Sequence, residues 1–144
     1  MSNAGPFQGM EQIRAGKAWL MVNEARSCID EYASLAKSLP AYIHHNGLGQ
    51  TLAFMSGKER KEYRLLGNQI SLWVMARLEN KDMSSFDPRS PKSNNSQDII
   101  SFIRTIMKED TRYYRLATRE ALYFLNVLRN FATGLKNSKQ KEET

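Results

Sequence analysis

The sequence predicts an all-α protein, a single domain in which five to six helices pack as a bundle. Apolar residues recur at alternating spacings of three and four, the pattern of a helix with one apolar face. No segment shows the sustained two-residue alternation that is typical of a half-buried strand. The chain has 144 residues, of which 41% are hydrophobic and 25% charged, enough for one globular core and hardly for two.

The first predicted helix spans residues 10–39. Pro40 is expected to end it. Residues 41–55 should then form a short helical pair, because Gly47 can adopt the left-handed conformation that ends a helix. The apolar residues that place the first helix fall on one stripe: Ala15, Ala18, Val22, Ala25, Ile29, Tyr32, Ala36 and Leu39.

Three further helices are predicted at 59–79, 96–108 and 111–135. Asn95 or Ser96 is expected to cap the helix at 96–108. The inward-facing residues of the three helices are expected to be Tyr63, Leu66, Ile70, Trp73 and Val74, then Ile99, Phe102, Ile103 and Ile106, and finally Tyr114, Ala117, Ala121, Phe124, Leu128, Phe131 and Leu135.

The helical bundle domain is expected to span residues 10–135. Ser2-Asn3-Ala4 after Met1 resemble residues left by cloning, so residues 1–9 are expected to be a tag or a disordered N-terminus. Residues 81–95 are rich in Pro, Ser, Asn and Asp, which predicts an internal loop. Residues 136–144 are polar and charged and are expected to form a flexible C-terminal tail.

The charge balance is basic. Lys and Arg number 21 against 15 Asp and Glu, a formal net charge of +6. This balance favours an anionic partner, with nucleic acid first. No apolar run approaches the roughly 20 residues of a membrane helix, and the N-terminus does not resemble a signal peptide. We therefore expect a soluble, cytoplasmic protein with no membrane partner.

The residues that could carry metal or nucleophilic chemistry are few. His44 and His45 are adjacent and would diverge by about 100° on a helix, so they cannot easily share a metal. With a single cysteine and no Glu-x-x-His pattern, neither a zinc nor a di-iron site is predicted. Cys28 lies beside the core stripe, where a small hydrophobe needs no further role. No catalytic residue, metal or cofactor is predicted.

A line of arginines is the strongest indication of a binding surface. Arg112, Arg115 and Arg119 lie at i, i+3 and i+7 on the last helix, roughly opposite its apolar stripe. Arginines in such a line suit contact with a phosphate backbone. The alternative is a solvated helix face with local ion pairs. The same line continues through Tyr123, Asn126 and Asn130, and the acids close to it are Glu109, Asp110 and Glu120.

Further candidates for phosphate contact are Lys61 and Arg64, which lie on the outer face of the third helix, and Lys17, which is expected to be exposed on the first. Lys61 and Arg64 belong to a second basic group with Lys58 and Arg60. Glu59 and Glu62 lower the net positive charge of this group, so a mixed-charge surface is the alternative there. Trp19, Leu20 and Leu122 fall off the main apolar stripes. Large apolar groups in such positions either mark a protein partner or pack against other helices of the bundle.

The stretch Leu39-Pro40-Ala41-Tyr42-Ile43-His44-His45-Asn46-Gly47-Leu48-Gly49-Gln50-Thr51-Leu52-Ala53-Phe54 resembles the small helical subunit of the Cmr complex, the type III-B CRISPR effector. The C-terminal run is similar to the closing helix of that family, which often carries a tryptophan where this chain has Val127. The first helix is also similar, so the resemblance covers roughly residues 10–135. Its specific part is the block Asn46-Gly47-Leu48-Gly49-Gln50.

The resemblance implies an all-α, non-catalytic subunit whose copies stack as an inner filament. Such subunits line the groove that holds guide RNA paired with target RNA, while the backbone subunit cleaves the target and the large subunit cyclises nucleotides. The implied partners are these subunits, neighbouring copies and the RNA duplex. In the block at 46–50, Gly47 and Gly49 would permit a tight helix junction, and Gln50 would help to satisfy exposed backbone groups.

Two alternatives remain at this point. The chain could be a self-assembling helical adaptor that contacts only protein partners, with its charge serving solubility. It could also be a small nuclease, although no carboxylate cluster or coherent histidine site supports that hypothesis. Salt-dependent binding of an RNA duplex would favour an RNA-binding subunit over the adaptor, because counterion release is the signature of phosphate contact. Cleavage of RNA by the purified chain with a divalent metal would favour the nuclease.

Overall fold

The computed structural model describes residues 9–88 and 96–143, and within them it has five α-helices and no strand. The all-α bundle predicted from the sequence is therefore confirmed. Residues 1–8 of the predicted N-terminal tag and residues 89–95 of the predicted loop at 81–95, with the candidate cap Asn95, lie outside the described residues. The helices are α1 (Met10–Asn23), α2 (Ile29–Ser56), α3 (Lys61–Leu78), α4 (Gln97–Lys108) and α5 (Thr111–Glu143), and a 3-10 turn (Arg26–Cys28) joins α1 to α2.

The core lies where α5 packs along α1, α2 and α3, and α4 covers α2 and α3. Trp73 is fully buried at its centre and stacks on Phe124, with ring centroids 4.5 Å apart. Large buried aromatic side chains of this kind dominate the energy of a small core. The long helix α5 is thus held along its inner face, and its outer face is left free for contacts.

The predicted continuous helix at 10–39 is wrong, although its apolar stripe is right. The N–H groups of Glu24 and Ala25 bond to carbonyls three residues back, which tightens the end of α1 before the 3-10 turn. Ala15 is half-buried, and the other seven stripe residues are buried. The short turn preserves the angular phase of the stripe, so the spacing alone does not reveal the break.

Pro40 does not end a helix, which corrects a second prediction. It lies within α2, and the buried Leu39 and Ile43 flank it. A proline inside a helix costs about 3 kcal/mol, and burial of large apolar side chains contributes about 1.5–3 kcal/mol each. Packing on both sides of Pro40 is therefore sufficient to keep the chain helical there.

The predicted break at Gly47 is confirmed. Gly47 has φ +85° and ψ 159°, in a region that is essentially restricted to glycine. α2 is consequently two helical arms joined by a sharp kink. Tyr42 in the first arm stacks on Phe54 in the second, with ring centroids 5.3 Å apart. Residues twelve apart on a straight helix are separated by about 18 Å, so the kink brings the two arms together.

The start of α4 is capped differently from the prediction. Ser96 occupies the N-cap position, but its side chain makes no capping bond and its hydroxyl lies 3.3 Å from the carbonyl of Ser56. The N–H of Ile99 instead donates to the side-chain oxygen of Asn68 at 3.2 Å. α3 therefore supplies the cap of α4 through a tertiary contact. At the other end of the chain, the segment predicted as a flexible tail continues α5 as far as Glu143.

Candidate nucleic-acid interface

Arg112, Arg115 and Arg119 are all exposed on the outer face of α5, as the helical spacing predicts. Tyr123 continues this arginine line and is 55% exposed. The opposite face of the helix is buried, with Ala117, Ala121, Phe124, Leu125 and Leu128 in the core. The inner face thus fixes the helix, and its outer face presents three guanidinium groups in a row.

Two of the three acids expected to pair with these arginines, Asp110 and Glu120, are engaged elsewhere, and Glu109 is exposed. Asp110 accepts a hydrogen bond from the N–H of Tyr113 at 2.9 Å and so caps the start of α5. Glu120 is buried. Among residues 9–88 and 96–143, none of the three arginines forms an ion pair within 4.0 Å. Their charge is therefore available to an external anion.

Glu120 is the centre of a buried polar network that joins three helices. Arg14 of α1 donates to both of its carboxylate oxygens, with each N···O distance 2.9 Å. The indole N–H of Trp73 in α3 donates to it at 2.7 Å, and the Nε of Arg77 lies 3.8 Å away. A bidentate pair of this kind is among the stronger charge-assisted interactions. This network fixes the rotation of α5 relative to α1 and α3, and hence the direction in which the arginine line faces.

Tyr123 extends the arginine line with an aromatic ring. The guanidinium carbon of Arg14 lies 5.5 Å from the centroid of this ring, within the range of a cation–π contact. Because Glu120 holds Arg14, the ring packs against a fixed cation. The exposed side of Tyr123 is a stable aromatic surface beside Arg119.

Tyr114 ties the arginine line to the kink of α2. Its hydroxyl accepts a hydrogen bond from the N–H of Gly49 at 3.0 Å. The hydroxyl of Thr51 donates to the carbonyl of Gly47 at 2.8 Å. These two side chains satisfy the backbone around the kink. The role predicted for Gln50 is wrong, because Gln50 is exposed and bonds to no described residue; Asn46 is exposed as well.

The second basic group is less available to a ligand than the arginine line. Lys61 is exposed but donates to the hydroxyl of Ser27 at 2.6 Å. Arg64 is half-buried and has interactions within the protein. Arg60 pairs with the buried Glu62 at 3.0 Å. These three cations thus have partners within the protein, unlike the arginines of the arginine line, which have no ion pair among the described residues.

Lys17 is half-buried, so its predicted exposure is wrong. Its ammonium donates to the carbonyl of Ser84 at 3.0 Å and fastens the segment after α3 to α1. The sequence could not reveal this, because the two residues are far apart along the chain. Asp82 lies in the same segment, and hydrogen bonds from the side chain and backbone of Ser84 lower the pKa of its carboxyl.

The three off-stripe apolar residues differ from one another. Trp19 is 43% exposed and packs edge-to-face against Phe131, with centroids 5.4 Å apart. Leu20 and Leu122 are half-buried, and Leu122 packs against the core. Trp19 is therefore the most exposed member of this set, and a partner interface at these residues stays a prediction.

The candidates for other chemistry lie apart from the arginine line. His44 and His45 are exposed on α2, whereas Cys28 is buried, which raises the pKa of its thiol. In the described ranges, no three His, Cys, Asp or Glu side chains lie together in a way that could hold a metal ion. No helix in that part of the chain is long and apolar enough to span a membrane.

Fold and surface together define a small, basic, all-α protein with an exposed arginine line suited to an anionic polymer. A family model described as CRISPR-associated protein (Cas_Cmr5) matches residues 10–135, and the chain belongs to this family. It is accordingly a small subunit of the Cmr complex, the type III-B CRISPR effector, and associates with other Cmr subunits in CRISPR defence.

Proposed function

We propose that this chain is a non-catalytic, cytoplasmic subunit that scaffolds the inner filament of the effector and contacts the backbone of the guide RNA–target RNA duplex. The observation that carries the proposal is the arginine line, three exposed guanidinium groups with no internal counter-ion among the described residues. Its partners would be the backbone and large subunits and neighbouring copies of itself.

The geometry suits a backbone contact. Arg112 and Arg119 are seven residues apart, so the line extends about 10 Å along α5. A rigid row of this length can meet a few successive phosphates. Duplex RNA offers a deep, narrow major groove that side chains cannot read, so such a subunit recognises shape and charge. One copy neutralises only a few phosphates, and the assembled filament would provide the avidity.

We assign the chain no chemical step. His44 and His45 are exposed side by side, and Cys28 is buried. The carboxylate of Glu120, which would be a candidate acid or base in an open cleft, is buried and bonded by Arg14 and Trp73. None of these groups offers a partnered nucleophile facing solvent.

The test is binding of a guide–target RNA duplex across a salt series, by the chain alone and by the chain mixed with Cmr backbone subunits. A triple variant, Arg112→Ala, Arg115→Ala and Arg119→Ala, is compared with wild type. The matched control removes three exposed cations elsewhere, Arg26, Lys37 and Lys139. Each phosphate contact adds about 0.9 to the slope of log K against log salt, so the triple variant should lose about 2–3 units of slope.

The outcomes separate the hypotheses. If the triple variant assembles and binds duplex as well as wild type, the arginine line is a solvated face. If the control variant loses as much slope, only net charge matters. The adaptor alternative rests on the exposed Trp19. Loss of filament formation on changing Trp19 or Leu122, together with duplex affinity unchanged in the triple variant, would favour it.

A further inference from the structure

A second aromatic surface lies away from the arginine line, across the kink of α2. Tyr42 and Phe54 stack with an interplanar angle of 15°, and Phe54 meets Tyr63 of α3 edge-to-face at 5.9 Å. The kink at Gly47 creates this cluster, because only a sharp bend brings residues 42 and 54 together. Tyr42, on the first arm of α2, is thus held against the second arm by Phe54.

Tyr42 is the outermost member of the cluster. It is 41% exposed, whereas Phe54 and Tyr63 are half-buried. Phe54 covers one face of the Tyr42 ring, so the exposed area belongs to its other face and its edge. A fixed ring with an open face binds a planar group at a low entropic cost, because its orientation is set before binding.

A cation completes the cluster. The ammonium of Lys58 lies 4.5 Å from the centroid of Phe54 and 5.9 Å from that of Tyr63. Both Lys58 and Tyr42 contact Phe54, so the positive charge lies one ring away from Tyr42. An aromatic ring beside a basic group is the combination with which proteins bind single-stranded nucleic acid.

We propose that Tyr42 is a stacking platform for an unpaired nucleobase of RNA and that Lys58, one ring away, attracts a phosphate of the same strand. The inference rests on the proposed function for the class of ligand, but it concerns unpaired nucleotides, whose bases have a free face. The surroundings favour a nucleotide over a protein partner. Ala41, His45 and Asn46 beside Tyr42 are exposed and mostly polar, so the ring is not part of a broad apolar patch.

The test is binding of a fluorescently labelled single-stranded RNA of about 12 nucleotides, within the range of known single-strand sites. The full chain is titrated at low salt and followed by anisotropy. Base stacking contributes about 1–3 kcal/mol per base, so Tyr42→Ala should weaken binding at least about fivefold. Tyr42→Phe keeps the ring and should bind within about twofold of wild type. Met107→Ala, which truncates a side chain that is 78% exposed on α4, is the matched control.

The same strand with abasic sites gives the decisive comparison. Wild type should bind it as weakly as Tyr42→Ala binds the intact strand, and Tyr42→Ala should show no additional loss on it. Equal binding of intact and abasic strands, or no detectable single-strand binding, would overturn the proposal. So would a Tyr42→Ala variant that binds single-stranded RNA normally but fails to join other Cmr subunits, since Tyr42 would then contact protein. Duplex binding must survive Tyr42→Ala, which separates this test from that of the arginine line.

Discussion

Replacing Gly47 by alanine tests whether the kink of α2 has to be glycine. Its φ of +85° and ψ of 159° lie where an L side chain is strained by about 1–3 kcal/mol. A Cβ at this position would also lie 3.0 Å from the hydroxyl of Tyr114, tighter than an ordinary contact. Alanine offsets about 0.4–1 kcal/mol by restricting the unfolded chain. The net expectation is a loss of about 1–3 kcal/mol in the free energy of unfolding.

The assay is urea and thermal denaturation followed by circular dichroism. Gly16→Ala is the control, because Gly16 is exposed inside α1 and a Cβ there meets nothing within 4 Å. That change should stabilise the protein by about 0.5–1 kcal/mol. The two substitutions are chemically identical and should have opposite signs. A Gly47→Ala variant as stable as wild type would refute the reasoning about the kink.

Repeating Gly47→Ala in a Tyr114→Phe variant separates the cost of backbone strain from the cost of the contact between the new Cβ and the Tyr114 hydroxyl. Tyr114→Phe removes the hydroxyl that faces Gly47 and also removes the acceptor of the Gly49 N–H. In that background, Gly47→Ala should cost less than in wild type, and the difference measures the steric part. An equal cost in both backgrounds would assign the whole effect to the backbone conformation.

Three further predictions concern buried and hydrogen-bonded groups. Glu120→Gln leaves the half-buried Arg14 without its counter-ion and should lower the free energy of unfolding by about 3 kcal/mol, measured in urea. Ser84→Ala removes hydrogen-bonding that lowers the pKa of Asp82, so this pKa should rise toward its ordinary value in a carboxyl NMR titration. Burial raises the pKa of the Cys28 thiol, so iodoacetamide should alkylate Cys28 more slowly at neutral pH than it alkylates free cysteine.

Each of these predictions has a contrary outcome. The control for Glu120→Gln is Glu79→Gln, which breaks the exposed pair with Lys81 and should leave stability unchanged; equal effects would contradict the network. The lowered pKa of Asp82 gives stability that is present above its unfolded pKa and lost as the pH falls through the folded pKa. In the Ser84→Ala variant, the free energy of unfolding should therefore fall less as the pH is lowered than it does in wild type. An equal fall in both proteins would contradict this. Alkylation of Cys28 as fast as that of free cysteine would show that the thiol is open to solvent.

The helices and their buried faces could be predicted from spacing, because burial of one face imposes a period that the sequence displays. The spacing could not show that α1 ends before the 3-10 turn, since the turn preserves the phase of the stripe. Pro40 wrongly predicted a helix end, because the tendency of proline to break a helix is weaker there than the packing of Leu39 and Ile43. Gly47 was predictable because its requirement is local: glycine tolerates the backbone conformation that the break needs.

The exposed face of the candidate site could be predicted from the sequence, but the buried contacts that hold this face in place could not. The exposure of the arginine line follows from helical geometry. Glu120 was expected to pair on the surface, yet it lies three residues after Ala117 and four before Phe124, a position that indicates burial. Tyr114 and Lys17 bond to residues distant in the sequence, and no local pattern reports such contacts.

The length of α5 sets a fixed distance between two surfaces. Arg115 and Phe131, the partner of Trp19, are sixteen residues apart on one uninterrupted helix, about 24 Å along its axis. If one molecule bound at the arginine line and another at Trp19, the helix would hold the two at a fixed distance and relative rotation. One residue inserted between Arg119 and Phe131 would turn one surface by about 100° relative to the other.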